Sequence, residues 1–277
     1  MNVLDRLTEI GHRFSGRVSL YACNFDTGET VAFGAYDEPQ ETASVIKLPV
    51  LVEALRQCSQ GVHGLDELVE YHDDDFVKGS GILQHLTRGL KLPLRDVLTL
   101  MIIVSDNLAT NIVLRTVGID AVNAMCQEFG LRDTVVKRKI AFDQPGPLGL
   151  SSPLELVQLL KGIYQHNVLD VEWATVAMDI LGRQNYHTLL TREMPYELLD
   201  DNADQPPVVR IHSKSGAVTG VRNDAGLVLT PWGDYAIAIM SQGSTDHRFH
   251  IDTEAHVVLP HAARAVFDHL IPPSSRC

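Results

Sequence analysis

The sequence predicts an α+β protein with two parts. One is an antiparallel sheet of about five strands, drawn from both termini and flanked by helices; the other is an all-helical lobe from the middle of the chain, with a cleft where they meet. Strand patterns occur near both ends, a 3.6-residue apolar period dominates between them, and the turns joining the strands are too short for parallel crossovers. The first two strands are Arg17-Val-Ser-Leu-Tyr-Ala-Cys-Asn-Phe25 and Thr30-Val-Ala-Phe33, joined by the hairpin signal Asp26-Thr-Gly-Glu29. Helical spacing then runs through Ser44 to Gln60, Leu94 to Val117, Ala121 to Phe129 and Pro153 to Tyr164. Breakers interrupt it at Gly79-Ser-Gly81 and Gln144-Pro-Gly-Pro147. Strand signals return at Val208 to Val218, Val221 to Thr230 and Tyr235 to Ser241, and a last helix is expected from about Glu254 to Leu270. Pro49 falls five residues into a helix starting at Ser44, where its ring would meet the carbonyl of Val45, so a bent or loosened first turn is expected. The expected division is a discontinuous sheet domain, 1–42 with 206–277, and a mainly helical domain, 43–205.

Composition narrows the function classes. Of 277 residues, 45% are hydrophobic and 21% charged, which suits a buried core and excludes a low-complexity or disordered chain. Asp and Glu number 35 against 23 Lys and Arg, a net charge of −12, and no basic patch interleaves with aromatics. A phosphate backbone would be repelled, so nucleic acid is not expected as a partner. Val3, Leu4, Leu7 and Ile10 have helical spacing broken by Asp5, Arg6 and Glu9, an amphipathic helix rather than a secretory signal. Apolar runs such as Ala236-Ile-Ala-Ile-Met240 are too short to span a bilayer. Cys23, Cys58, Cys126 and Cys277 are scattered and read as free thiols. A cytoplasmic protein without a membrane partner is the resulting expectation. His247 and His250 lack the third ligand of a zinc site, and Asp73-Asp-Asp75 reads as a solvated acidic loop.

Three short segments carry chemistry: Ser44-Val-Ile-Lys47 at a helix start, Ser105-Asp-Asn107 at the end of an apolar helical run, and Lys214-Ser-Gly216 in a late strand. Each alone is common, and Ser44 alone could be an N-cap, Lys47 a surface lysine and Ser105-Asp-Asn a helix end. In this order and context they match the SxxK, SDN and KTG signature, with Ser215 keeping the hydroxyl of the usual threonine. The chain therefore resembles the superfamily of class A β-lactamases and penicillin-binding proteins, most closely its class A-like serine hydrolases, from the first hairpin to the last helix.

The resemblance implies a covalent acyl-enzyme on Ser44 that needs no metal or organic cofactor. Residues three apart share a helix face, so Lys47 can reach Ser44, and a serine at a helix start feels the positive end of the dipole. Lys47 can act as a base only if burial or a nearby charge lowers its pKa, and Lys214 would supply that charge. Ser105 would relay a proton to the leaving group. The oxyanion hole would be the N–H groups of Ser44 and Ala217. Asn107, Ser215, Gly216 and Arg222 would bind substrate, Arg222 as the group facing a substrate carboxylate. Asp224 is expected to buttress the strand behind the site.

The loop from Val136 to Leu150 departs from the family, because it lacks the glutamate that activates the deacylating water. Its one carboxylate is Asp143, read either as a loop cap or Arg138 ion pair, or as a substitute base one methylene short. The expected substrate is a small amide, lactam or ester. β-Lactam hydrolysis, with antibiotic resistance as its consequence, comes first; an esterase, amidase or D-amino-acid peptidase is the near alternative. A β-lactam-binding sensor that is acylated once and never cleared is the alternative of another class.

Overall fold

Helix α1 (Val3–His12) starts where Asn2 and Asp5 cap each other's backbone N–H groups, and it buries Leu7 and Ile10. Strands β1 (Arg17–Asn24) and β2 (Thr30–Phe33) form the expected hairpin, and β3 (Gln40–Glu41) follows. A 3₁₀ turn, Ala43–Ile46, leads into α2 (Lys47–Ser59). This resolves the Pro49 problem. With the α-helix beginning at Lys47, the proline lies in its first turn, where its missing N–H has no intrahelical acceptor to lose. The computed structural model describes residues 2–200 and 206–272; the expected domain boundary at 205/206 adjoins, and Cys277 falls in, segments outside the described residues.

Strands β4 (Leu68–Glu70) and β5 (Lys91–Pro93) pair beside helix α3 (Leu94–Ile103). The single helix expected from Leu94 to Val117 is instead broken. Ser105 has φ +50°, and α4 (Asn107–Val117) restarts behind the N-cap Asp106, whose carboxylate accepts from Ala109 N at 2.9 Å. Helix α5 (Ile119–Glu128), strands β6 (Val135–Val136) and β7 (Gly149–Ser151), and helices α6 (Pro153–Tyr164), α7 (Val171–Gly182) and α8 (Tyr196–Leu199) complete the middle of the chain. The lobe is thus not all-helical: it holds the small sheet β3-β7-β6 as well as β4-β5.

Strands β8 (Arg210–Val218), β9 (Val221–Leu229) and β10 (Tyr235–Gln242) then build the main sheet, followed by α9 (Glu254–Val258) and α10 (Pro260–Leu270). The sheet has the order β2-β1-β10-β9-β8 and its pairings are antiparallel. Strand β10 shows why this sheet is central. Tyr235, Ile237 and Ile239 join the core formed with α1 and α10, whereas Ala236, Ala238 and Met240 join the core formed with α2 to α7. The run that could not span a bilayer is a strand buried on both faces, and no helix among the described residues is long and apolar enough to cross a membrane.

Candidate active site

A cleft of about 920 Å³ opens between the main sheet and the helical lobe. Ser44 lines it from the 3₁₀ turn, Ser105 and Asn107 from the break between α3 and α4, and Ser215, Gly216, Ala217 and Arg222 from β8 and β9. Lys47 and Lys214 do not reach its surface; both are fully buried beneath it. Asp143 is exposed and is not among the residues lining the cleft. The structure therefore gathers seven of the expected residues on the cleft wall, two under its floor, and leaves one outside.

Two non-glycine residues with positive φ flank the chemistry: Ala43 (φ +46°) just before Ser44, and Ser105 (φ +50°). Such conformations cost on the order of 1–3 kcal/mol each and persist only where surrounding contacts impose them. At Ser105 those contacts are visible. Its carbonyl accepts from Lys47 Nζ at 2.8 Å and from Ser80 Oγ at 2.7 Å. Its own Oγ lies 3.1 Å from Lys47 Nζ.

Lys47 Nζ has a third neighbour, Asn107 Oδ1 at 3.2 Å. Burial, the charge of Lys214 and the opposing charge of Asp106, in that order of weight, leave its amine well below the ordinary lysine range. Lys47 Nζ donates to the Ser105 carbonyl, the Ser105 hydroxyl and Asn107 Oδ1. With its pKa lowered, the amine can take up a proton through Ser105. Ser44 Oγ itself makes no side-chain hydrogen bond among the described residues, so it stands free in the cleft wall.

Lys214 Nζ donates to the carbonyl of Ser215 at 2.6 Å, and burial pulls its pKa down to about 7. Asp224 lies on the neighbouring strand, where Ser215 pairs with it, and burial pushes its carboxyl up to about 6 against the pull of Leu190 N–H and Lys214. Its Oδ2 accepts from the Leu190 N–H at 3.3 Å.

The main-chain geometry explains Gly216. A Cβ there would lie 2.8 Å from Thr42 O, 2.9 Å from Ser44 N and 3.0 Å from Val45 N. Only a residue without a side chain lets β8 run this close to the turn carrying Ser44.

Arg222 lines the cleft but is already engaged by the protein's own carbonyls. Its guanidinium is 3% exposed as part of the residue and donates to the carbonyls of Val218 and Val221 at 2.7 Å, and of Arg248 at 2.5 Å. It also stacks on Phe249, 4.7 Å from the ring centroid. These bonds pin the β8–β9 turn to the 248–249 segment. Arg138 likewise forms no ion pair with Asp143: it braces its own loop through the carbonyls of Ala141, Gln144 and Gly146. The acidic run is not uniformly solvated either. Asp75 is fully buried; although burial pushes its carboxyl up, Arg115, the His72 N–H and Lys139 together hold it below the usual carboxylate value.

Several positioning residues escape a reading of motifs. Asp106 Oδ2 accepts from the N–H groups of Ile82 and Leu83 at 2.7 and 2.8 Å, fixing the Gly79-Ser-Gly81 loop. Gly81, with φ +102°, has no room for a Cβ, which would sit 2.3 Å from the Asp106 carboxyl carbon. Asn223 reaches from β9 to the carbonyl of Glu41 at 2.9 Å and ties the sheet to the segment preceding Ser44. The one usable signal was Asp106 as a cap before a helix; the others depend on tertiary approach.

Comparison with known proteins places this geometry. A family model described as "Beta-lactamase enzyme family" matches residues 2–270. A β-lactamase from Amycolatopsis lactamdurans is 33% identical over 117 residues, which is 42% of this chain and 37% of that protein, so the match spans little more than a third of the relative. The crystal structure of a β-lactamase from Sphaerobacter thermophilus superposes with a TM-score of 0.85 at 27% identity, covering 98% of both chains. A mutant of PBP-A, solved as an acyl-enzyme complex with penicillin G, superposes with a TM-score of 0.82 at 27% identity, covering 96% of this chain and 95% of that one.

Proposed function

Because the chain belongs to the beta-lactamase enzyme family and is a β-lactamase-like serine hydrolase, we propose that it works through a covalent acyl-enzyme on Ser44, with β-lactams as the substrate class. The observation that carries this reading is the fully buried Lys47 amine, depressed in pKa and bonded to Ser105, directly under the wall that bears a free Ser44 hydroxyl.

In acylation, Ser44 Oγ attacks the substrate carbonyl carbon and its proton passes to Lys47. The carbonyl oxygen takes on negative charge between the N–H groups of Ser44 and Ala217; removing one such donor typically costs about 3–4 kcal/mol of transition-state stabilisation. As the amide C–N bond breaks, the proton returns through Ser105 to the leaving nitrogen. Lys214, protonated below about pH 7, adds positive potential on the β8 side. Asn107 and Ser215 face the substrate, and Phe142, Tyr186 and Phe249 supply an apolar wall for its side chain.

The test is intact-mass spectrometry of the protein incubated with penicillin G, with Ser44→Ala as control. A mass increase equal to the whole penicillin, absent from the variant, supports the mechanism. An adduct of equal size on Ser44→Ala, or none on the native chain, overturns it. Parallel turnover of a cephalosporin and a short-chain aryl ester separates a lactamase from an esterase on the same machinery.

A further inference from the structure

Hydrolysis of an acyl-serine ester needs a proton acceptor within reach of a water, so one that faces solvent is favoured. Lys47 lies below the floor with its three hydrogen-bond partners already in place, and Asp143 lies outside the cleft. Among the described residues, Glu41 is the one carboxylate that lines the cleft. It stands three residues before Ser44 on β3, where it pairs with Leu150 of β7. Its neighbour Gln40 is buried on the opposite face and donates to Ala35 O at 2.7 Å, so strand alternation turns the Glu41 side chain toward the cleft. The backbone is held there by Asn223. The carboxylate has no ion-pair partner within 4.0 Å among the described residues. Partial burial raises its pKa against the opposing charge of Arg138, which gives it more basic strength than a solvated glutamate.

We propose that Glu41 is the general base of deacylation, taking over the task for which the 136–150 loop has no glutamate. The proposal rests on the acyl-Ser44 reading above. A water held by the Glu41 carboxylate attacks the ester carbon and forms a new C–O bond, while one of its protons moves to Glu41. The tetrahedral intermediate collapses with cleavage of the C–Oγ bond, and that proton is delivered to Ser44 Oγ. The products are a carboxylic acid and the free enzyme, with no oxidant or co-reactant required.

The experiment follows acylation and deacylation separately by rapid-quench intact mass, with penicillin G and p-nitrophenyl acetate as probes. Glu41→Gln keeps the shape and should acylate at the native rate, while clearance of the adduct falls by at least about 100-fold. In Glu41→Ala, added formate should restore part of the clearance rate. Clearance by Glu41→Gln at the native rate overturns the proposal, as does a parallel loss of acylation and deacylation, which would mark a structural role. A native chain that forms no Ser44-dependent adduct instead removes the acyl-serine reading itself, and this proposal with it.

Discussion

Gly216→Ala is a one-atom-group perturbation aimed at the proposed oxyanion hole. The added Cβ would stand 2.8 Å from Thr42 O, 2.9 Å from Ser44 N and 3.0 Å from Val45 N, and all three are backbone atoms that cannot rotate aside. Restoring ordinary van der Waals separation requires β8 or the 3₁₀ turn to retreat by roughly 0.5 Å. Overpacking of this kind costs about 1–3 kcal/mol of stability, and urea unfolding reads it directly. The kinetic consequence is larger. The retreat widens the gap between the Ser44 and Ala217 N–H groups, and a misplacement near 1 Å costs on the order of 100-fold. Half that displacement implies a loss of about 10-fold to 100-fold. In the proposed mechanism the same hole serves both tetrahedral intermediates, so acylation and deacylation should slow together, unlike the one-sided effect expected at Glu41. Rapid-quench measurement of both half-reactions on the purified variant is the assay. Native rates in a variant that has lost stability would refute the view that this close approach sets the hole; native rates and native stability would refute the packing argument as well.

Three further outcomes are expected. Burial brings the Lys214 pKa down to about 7, so its charge is present only below that pH. Acylation kcat/KM should therefore fall on the alkaline side with a midpoint near 7, and a flat profile from pH 6 to 9 would count against Lys214. Stability has the opposite sign: between about 7 and the ordinary lysine value of 10.5, the unfolded chain binds a proton that the folded one does not, so Lys214 makes stability rise with pH across that window. Asp106→Ala should lose about 3 kcal/mol, because it removes a helix cap and strands the N–H groups of Ile82 and Leu83. A loss below 1 kcal/mol in urea would show that the 79–83 loop is held by something else.

The sheet was legible because its strands are long and flanked by short turns. Arg210–Val218, Val221–Leu229 and Tyr235–Gln242 fall within two residues of their expected bounds. Helix α6 runs from Pro153 to Tyr164 as read, since Ser152 and Pro153 announce its start. The break at Ser105 was only half legible: Ser105-Asp-Asn107 reads as a possible helix end, but the apolar period of Leu98 to Val104 continues into Leu108 and Ile112, and the contacts around the positive φ come from Lys47 and Ser80 elsewhere in the chain. Strands β3, β6 and β7 have two or three residues each, too few to show a period. Glu41 was hidden for the same reason, because its cleft-facing orientation comes from pairing with Leu150, far along the sequence. Arg222 was found by position, but its bond to Arg248 O and its contact with Phe249 depend on the 248–249 segment folding over it. Motif reading located the groups that act locally, and missed those oriented by distant chain.

The pairing of Arg17 with Gln242, the outer end of the β1–β10 ladder, has a consequence for how the molecule is made. During synthesis the helical lobe can collapse on local contacts, yet β1 and β2 must wait, unpaired with the rest of the sheet, until residue 242 has left the ribosome. The turn carrying Ser44 is braced by Gly216 and Asn223, which are also among the later residues to emerge. The nascent chain can therefore form α2 to α7 before the sheet that braces the Ser44 turn is complete, so a translation product truncated before β9 carries Ser44 without Asn223 and without the β9 and β10 strands of the sheet.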